Sequence, residues 1–199
     1  MPENHFPLVK WTEIPKVFWS DLSNQPFEHC IHCEKYLLEE DTEYLIEKAI
    51  QSTEKEGVYS TIFEYAICFD CADQMKAQLS ESSIQNINRF YAEHVDMDAR
   101  REQLIAHTEN TERDWLKNCI VKHKPYQAGS EYQIYGQCSG KRFLYFDMPF
   151  MISGEAMEEM IELISDETMD ELDRFKDDLI SGPPEFKEIL DKGGPRVFI

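Results

Sequence analysis

The sequence predicts an α+β protein in which a small metal-binding module precedes a mainly helical region with one β-hairpin. Two observations carry this prediction. Two Cys-x-x-Cys pairs, Cys30–Cys33 and Cys68–Cys71, flank a stretch of strand-like residues, and two such pairs supply the four thiolates of a tetrahedral zinc site. Further along the chain, apolar residues recur mostly at helical spacing, interrupted by two aromatic, strand-like segments.

The predicted metal module covers residues 28–81. Two segments between the cysteine pairs, 43–47 and 60–65, have the pattern of strands, and segment 72–79 has the pattern of a helix. The second pair therefore lies at a helix N-terminus, where backbone N–H groups and the helix dipole stabilise thiolates. We expect this module to hold one structural zinc ion through four ligands: Cys30, Cys33, Cys68 and Cys71.

The order of a cysteine turn, a hairpin and a helix resembles the treble-clef zinc fingers over residues 28–81. The resemblance implies that fold element and its metal, but no substrate, because many functionally unrelated proteins share the motif. His29 and His32 flank the first cysteine pair. Since four sulfurs suffice for zinc, we expect these histidines to be polar neighbours of the ligands.

Two other interpretations of the cysteines stay open. Cysteine is often a small buried apolar residue, although two pairs at the same spacing argue against this. A strand, a Cys-x-x-Cys pair and a helix also occur in thioredoxin-like redox sites. A redox role would use Cys68 and Cys71 but would leave Cys30 and Cys33 unexplained.

The composition describes a globular and strongly acidic chain. Its 199 residues include 20 basic and 39 acidic side chains, for a formal net charge of -19. Because phosphate backbones are bound largely through lysine and arginine, this balance argues against a nucleic-acid partner. No apolar run is long enough for a membrane span and no secretory leader is visible. We therefore expect a cytoplasmic location, where reduced thiols favour metal binding over disulfides.

The rest of the chain divides into an arm and a helical region. Residues 1–27 contain four prolines and predict an irregular arm held by aromatic anchors: Trp11, Phe18 and Trp19. Residues 82–199 predict a series of helices and one hairpin, with these approximate bounds: helices at 82–95 and 97–117, the hairpin at 131–146, helices capped at Ser153 and Thr168, and a short helix at 184–190. No internal repeat at a fixed period is visible.

The C-terminal helices concentrate negative charge. Residues 155–191 hold fourteen acidic and three basic side chains. Four aspartates share one helical stripe opposite the apolar residues of the same helix: Asp166, Asp170, Asp173 and Asp177. The stripe lacks the glycine and terminal glutamate of a calcium loop. We expect it to face water or to dock a basic partner protein.

Cys119, His123 and Cys138 are the other residues with nucleophile or ligand potential. No local signature orients the histidine, so we expect core or loop positions without chemistry. Two functions stay open. The preferred one is a non-enzymatic, zinc-stabilised protein-interaction or regulatory module. The alternative is a metal- or cysteine-dependent enzyme with a cleft between the metal module and the hairpin, which a concave pocket with perturbed ionisable groups would favour.

Overall fold

A computed structural model describes residues 10–53, 58–107 and 109–179. Within these residues the chain forms a mixed α/β structure with one antiparallel sheet of six strands and six helices. The strands are β1 (Lys10–Glu13), β2 (Glu43–Ser52), β3 (Tyr59–Cys68), β4 (Glu131–Ser139), β5 (Arg142–Tyr145) and β6 (Phe150–Ser153). The helices are α1 (Phe69–Lys76), α2 (Glu81–His94), α3 (Met97–Ala106), α4 (Glu112–Trp115), α5 (Gly154–Ile161) and α6 (Asp166–Leu179), and a 3-10 turn covers Lys16–Phe18.

One sheet joins the two parts of the chain. Its strand order is β1-β5-β4-β2-β3, and β6 also pairs with β4. The predicted hairpin is present as β4 and β5, but β4 also pairs with β2, from Glu43 opposite Ser139 to Gln51 opposite Glu131. The strands of the predicted metal module and those of the region after residue 81 therefore share one hydrogen-bonded sheet. That the chain folds as two units divided at residue 81 stays a prediction.

The sheet has a helical face and an arm face, because successive side chains of a strand point to opposite sides. The helical face carries Glu47, Tyr65 and Tyr135, and the Tyr65 ring lies 6.1 Å from the ring of Phe175 in α6. The arm face packs against residues 14–19 of the N-terminal arm. The core therefore fills both sides of the sheet.

A glycine lets the arm approach the arm face closely. Phe18 is fully buried, and its ring lies 4.7 Å from that of Phe143. A Cβ atom at Gly136 would lie 2.7–2.9 Å from atoms of both rings, which is too close for any side chain. Of the predicted anchors, Phe18 fulfils that role, whereas Trp11 is 57% exposed.

A buried lysine fixes the arm to the sheet. The Lys48 side chain is 2% exposed, and its Nζ lies 2.9 Å from carboxylate oxygens of Asp21 and Glu64. Lys48 also donates to the carbonyl oxygen of Trp19 at 2.7 Å. Glu64 in turn accepts the backbone N–H of Asp21 at 2.7 Å and the hydroxyl of Ser20 at 2.8 Å. The buried charge is tolerated because it is paired and hydrogen-bonded.

We expect Lys48→Met to lower the free energy of unfolding by about 3–5 kcal/mol, because loss of one partner leaves a buried carboxylate without its cation. Urea unfolding followed by tryptophan fluorescence measures the change. The double variant Lys48→Met/Glu64→Gln removes both charges and should recover part of the loss. A loss below about 1 kcal/mol for Lys48→Met would contradict the prediction.

Some helix limits differ from the sequence prediction. The predicted helix at 97–117 divides into α3 and α4, because the side chains of Thr111 and Asp114 form a capping box that starts a new helix. Helix α2 is capped by Ser80, two residues earlier than predicted. The predicted helix at 184–190 lies outside the described residues. None of the helices among the described residues is long and apolar enough to cross a bilayer.

Candidate metal centre

The first cysteine pair lies in a tight turn attached to β3. The Cys30 N–H donates to the Lys35 carbonyl at 2.9 Å, and the Glu34 N–H donates to the Cys30 carbonyl at 3.0 Å. Glu34 has a φ of 60°, a left-handed conformation that is uncommon outside glycine. The Ile31 N–H donates to the Ala66 carbonyl at 2.9 Å. This last bond holds the turn beside the end of β3.

The second cysteine pair lies where β3 passes into α1. Cys68 is the last residue of β3 and the N-cap of α1, with an extended backbone. Cys71 follows three residues later in the first helical turn, so its side chain lies on the same side of the helix as that of Cys68. The Cys68 N–H points at the Cys30 sulfur, 3.4 Å away. The end of the strand and the start of the helix thus face the first turn.

The four cysteine sulfurs form one cluster. They all lie within 4.8 Å of one another, and the sulfurs of Cys33 and Cys68 are 3.7 Å apart. Zinc–sulfur bonds of about 2.3 Å at tetrahedral angles place two sulfurs about 3.8 Å apart, whereas a disulfide joins them at about 2.0 Å. The cluster can therefore hold one metal ion, and its four sulfur donors suit zinc.

Burial and hydrogen bonding set the thiol pKa values. Burial opposes ionisation of Cys30, but backbone N–H groups of Cys33, Cys68 and His32 donate to its sulfur and lower its pKa to about 7. Burial raises the pKa of Cys68. Burial and the neighbouring thiols together raise the pKa of Cys71. A bound cation would favour the thiolates, so metal binding would release protons and weaken as the pH falls.

The residues around the cluster hold its parts together. The imidazole of His29 packs edge-on against the Tyr36 ring, with centroids 5.6 Å apart, and His32 contributes its backbone N–H to a cluster sulfur. Lys35 in the turn forms an exposed ion pair of 3.2 Å with Asp70 in α1. Among the residues described, the group of possible metal ligands consists of the four cysteines.

A second stretch of the chain repeats the backbone of the first turn. The Cys119 N–H donates to the Lys124 carbonyl at 2.8 Å, and the His123 N–H donates to the Cys119 carbonyl at 2.8 Å. His123 has a φ of 56°. The Ile120 N–H donates to the Met151 carbonyl at 2.8 Å. Each of these features has its counterpart, residue for residue, in the turn that holds the first cysteine pair.

The repeat continues through the strands and the helix that follow. β4 and β6 pair antiparallel, as β2 and β3 do. Helix α5 begins directly after β6, as α1 begins directly after β3, and each of these helices has eight residues. We call residues 28–76 the first unit and residues 117–161 the second unit. The sequence shows no repeat at a fixed period, because the two units share a backbone arrangement and only a few identical residues.

The correspondence between the two units extends to individual side chains, but the second unit lacks most of the metal ligands of the first. Ser153, at the end of β6, directs its N–H at the Cys119 sulfur at 3.3 Å, as Cys68 does towards Cys30. By the same alignment Lys122 stands in the place of Cys33, and Ala156 in the place of Cys71. The ion pair between Lys35 and Asp70 recurs as Lys124 with Glu155 at 2.9 Å. The second unit thus keeps one thiol of four.

The other residues with nucleophile potential, Cys119, His123 and Cys138, each have different contacts. Cys138 is fully buried; burial raises its pKa to about 12, although the Tyr44 hydroxyl opposes this shift. The His123 imidazole lies 3.0 Å from the carbonyl oxygen of His94. Cys119 has its sulfur occupied by the backbone N–H groups of its own unit. These contacts do not build a cysteine–histidine pair.

Fold and site together define a mixed α/β protein with a four-cysteine cluster of metal-binding geometry. No family model, no curated protein and no solved structure matches the chain.

Proposed function

We propose that this protein binds one zinc ion through Cys30, Cys33, Cys68 and Cys71, and that the zinc is structural. The observation that carries the proposal is the set of four sulfurs within 4.8 Å of one another. Four thiolates fill every position of a tetrahedral ion and leave none for water or substrate. The first unit, with its turn, hairpin and helix, is in this proposal a treble-clef-like module.

The proposed zinc links two separate pieces of backbone. The turn at 28–37 contributes one pair of ligands, and the junction of β3 with α1 contributes the other. Buried residues of the first unit, among them Leu37, Ile67 and Met75, supply apolar packing, and the zinc adds a link between the two pieces that stabilises the folded state. The free cysteines also support our proposal of a reducing, cytoplasmic location.

Metal analysis of the protein as purified tests the proposal, with one zinc ion per chain as the expected result. Cobalt(II) exchanged into the same site should give the visible absorption of a tetrahedral thiolate complex, because the ligands impose that geometry. Cys138→Ser is the matched control, since this buried cysteine lies outside the cluster; it should leave the metal content unchanged. Recovery of the four cysteines as disulfides, with no metal, would contradict the proposal.

We further propose that helices α5 and α6 dock a basic protein. Asp166, Asp170 and Asp173 are exposed, whereas Leu172 and Phe175 on the opposite side of α6 are buried. The side chain of Asp177, the fourth member of the predicted stripe, lies outside the description. Exposed carboxylates of one sign attract a basic surface and steer its approach. The net charge of -19 strengthens that attraction.

We expect the triple variant Asp166→Asn/Asp170→Asn/Asp173→Asn to change the free energy of unfolding by no more than about 0.5 kcal/mol, because exposed side chains contribute little to stability. Its affinity for an octalysine peptide should fall and lose part of its salt dependence. Three exposed acids elsewhere, changed as Glu81→Gln/Glu93→Gln/Glu102→Gln, provide the control. Equal losses in the two variants would contradict a docking surface at α6.

A second candidate function, an enzyme, is favoured by one specific observation. A cavity lies against the helical face of the sheet and contains the buried carboxylate of Glu47. It is concave, and burial strongly raises the pKa of Tyr65 and of Tyr135 in its wall. This enzyme would use Glu47, Tyr65 and Tyr135 as its polar residues, whereas the enzyme that the sequence suggested is metal- or cysteine-dependent.

A further inference from the structure

The cavity on the helical face has a volume of about 300 Å³, at the lower end of the range for small-molecule sites. Strands β2, β3 and β4 form its floor, and helices α2, α3 and α5 contribute to its walls. Most of the lining is apolar, including Leu45, Ile67, Ile87, Met97, Met148 and Met160. Such walls suit an alkyl or aryl group.

The polar side chains of this lining are Glu47, Tyr65, Asn88, Tyr91 and Tyr135. Glu47 lies in the central strand β2, directly opposite Tyr65 in β3 and Tyr135 in β4. The Tyr65 hydroxyl donates to one carboxylate oxygen of Glu47. The Tyr135 hydroxyl donates to Oε1 of Gln133 at 2.5 Å and lies 3.4 Å from the other carboxylate oxygen of Glu47. The strand register therefore fixes a row of three polar side chains. Glu47 is only 3% exposed.

The hydrogen-bond roles in this row specify what a ligand must offer. Burial and the Glu47 charge raise the pKa of Tyr65 and of Tyr135 well above the usual value, so both hydroxyls keep their protons and act as donors. Glu47 then remains the acceptor in the row. A carboxylate oxygen has two lone pairs and can accept from a ligand as well as from a tyrosine.

The aromatic rings around the Glu47 carboxylate also indicate which class of ligand the cavity suits. The side chains of Tyr65, Tyr91, Tyr135 and Phe150 all line the cavity, together with Glu47, and the rings of Tyr135 and Phe150 lie 5.0 Å apart. Aromatic faces attract cations, and this attraction is strongest in desolvated sites. A carboxylate within aromatic walls complements an organic cation better than a neutral or anionic molecule, because a bound cation favours the charged form of a buried carboxyl group.

We propose that this cavity binds a small organic ammonium ion, whose charged nitrogen contacts Glu47 and the aromatic rings and whose hydrocarbon part fills the apolar walls. The site shares no residue with the four-cysteine cluster. The ammonium proposal therefore stands or falls separately from the zinc proposal. An ammonium group offers hydrogen-bond donors to the carboxylate, and an alkyl tail displaces water from the apolar lining.

Isothermal titration of the 199-residue chain, as purified, with hexylammonium tests this proposal. Hexanol and hexanoate have the same tail with a neutral or an anionic head. We expect binding of one hexylammonium per chain, much weaker binding of hexanol and none of hexanoate. Physiological ionic strength is needed, because the net charge of -19 attracts any cation unless salt screens it.

Three variants distinguish binding in the cavity from the general attraction of the acidic chain for cations. Glu47→Gln keeps the shape of the side chain and removes its charge, and should weaken hexylammonium binding roughly tenfold or more. Glu102→Gln makes the same change in net charge at an exposed position outside the cavity and outside α6, and should leave the affinity unchanged. Ile87→Trp fills the cavity from the α2 side and should abolish binding while the Tm shows that the fold persists.

The zinc content of each variant keeps the two proposals distinguishable. One zinc ion per chain is expected in Glu47→Gln as in the wild type, because Glu47 is outside the cysteine cluster. Equal affinity of wild type and Glu47→Gln for hexylammonium would overturn the ammonium proposal. So would equal affinity of the wild type for hexanol and hexylammonium, or no binding of hexylammonium at saturating concentration, which would leave a water-filled cavity.

Discussion

Cys68→Ser is expected to release the metal and to lower the free energy of unfolding by more than about 4 kcal/mol. Cys68 joins the end of β3 to the start of α1 and contributes one of four sulfurs within 4.8 Å. A ligand present at a thousand times its Kd stabilises the native state by about 4 kcal/mol, and structural zinc sites bind with apparent free energies of about 10–16 kcal/mol. Metal analysis and urea unfolding measure both effects.

The control for this prediction is Cys119→Ser. Cys119 has the same backbone position in the second unit as Cys30 in the first, and its sulfur accepts N–H groups from Lys122 and Ser153. A serine oxygen can accept similar bonds, so we expect a loss of only about 1 kcal/mol and an unchanged zinc content. Similar unfolding curves for Cys68→Ser and Cys119→Ser would contradict a structural metal.

Hydrogen exchange of Cys68→Ser also tests the predicted boundary at residue 81. Two separate folding units would confine the loss of amide protection to residues 28–81. The structure gives a reason to expect a wider loss, because β2 pairs with β3 on one edge and with β4 on the other. Disorder in β2 removes one of the strands that pair with β4, so we expect protection in β4 to fall as well.

The variant Lys122→Cys/Ser153→Cys/Ala156→Cys is expected to bind two zinc ions per chain instead of one. Together with Cys119, the three new thiols occupy the positions that correspond to the first cluster. The backbone is already arranged for this, since the Cys119 turn and the Cys30 turn share their hydrogen bonds and their left-handed residue. A preorganised set of four thiolates binds zinc with an apparent free energy of about 10 kcal/mol or more.

Cobalt(II) titration and metal analysis measure the second site. Lys122→Ser/Ala156→Ser is the matched control, because it changes the same unit without adding a thiol and should keep one zinc ion. Adding Cys119→Ser to the triple cysteine variant should weaken or abolish the second site, because it removes the fourth thiol. A well-folded triple variant that still binds a single zinc ion would contradict the correspondence between the two units.

Local signals in the sequence were sufficient for the four-cysteine cluster. The spacing within each pair and the strand-to-helix pattern around Cys68 depend on residues that are neighbours along the chain. The same is true of the β4–β5 hairpin, where Gly140 has a φ of 54° and favours the turn. In α6, exposed Asp170 and buried Leu172 follow the helical period that the sequence displays.

The internal repeat left only a weak trace in the sequence. The segments at 30–35 and 119–124 both begin with Cys-Ile and end with lysine, which is too little to recognise without coordinates. Their common feature is a backbone conformation, with Glu34 and His123 in the same left-handed region. Hydrogen bonds between main-chain atoms impose that conformation and accept many different side chains.

The sequence by itself determined the cysteine cluster, the acidic character and the helix and strand segments, because each of these rests on composition or on short-range spacing. Only the tertiary structure decided that β2 pairs with β4, that Lys48 meets Asp21 and Glu64, and that Glu47 meets Tyr65 and Tyr135. Strand register and long-range pairing depend on contacts between distant residues, and a single sequence contains no direct record of those contacts.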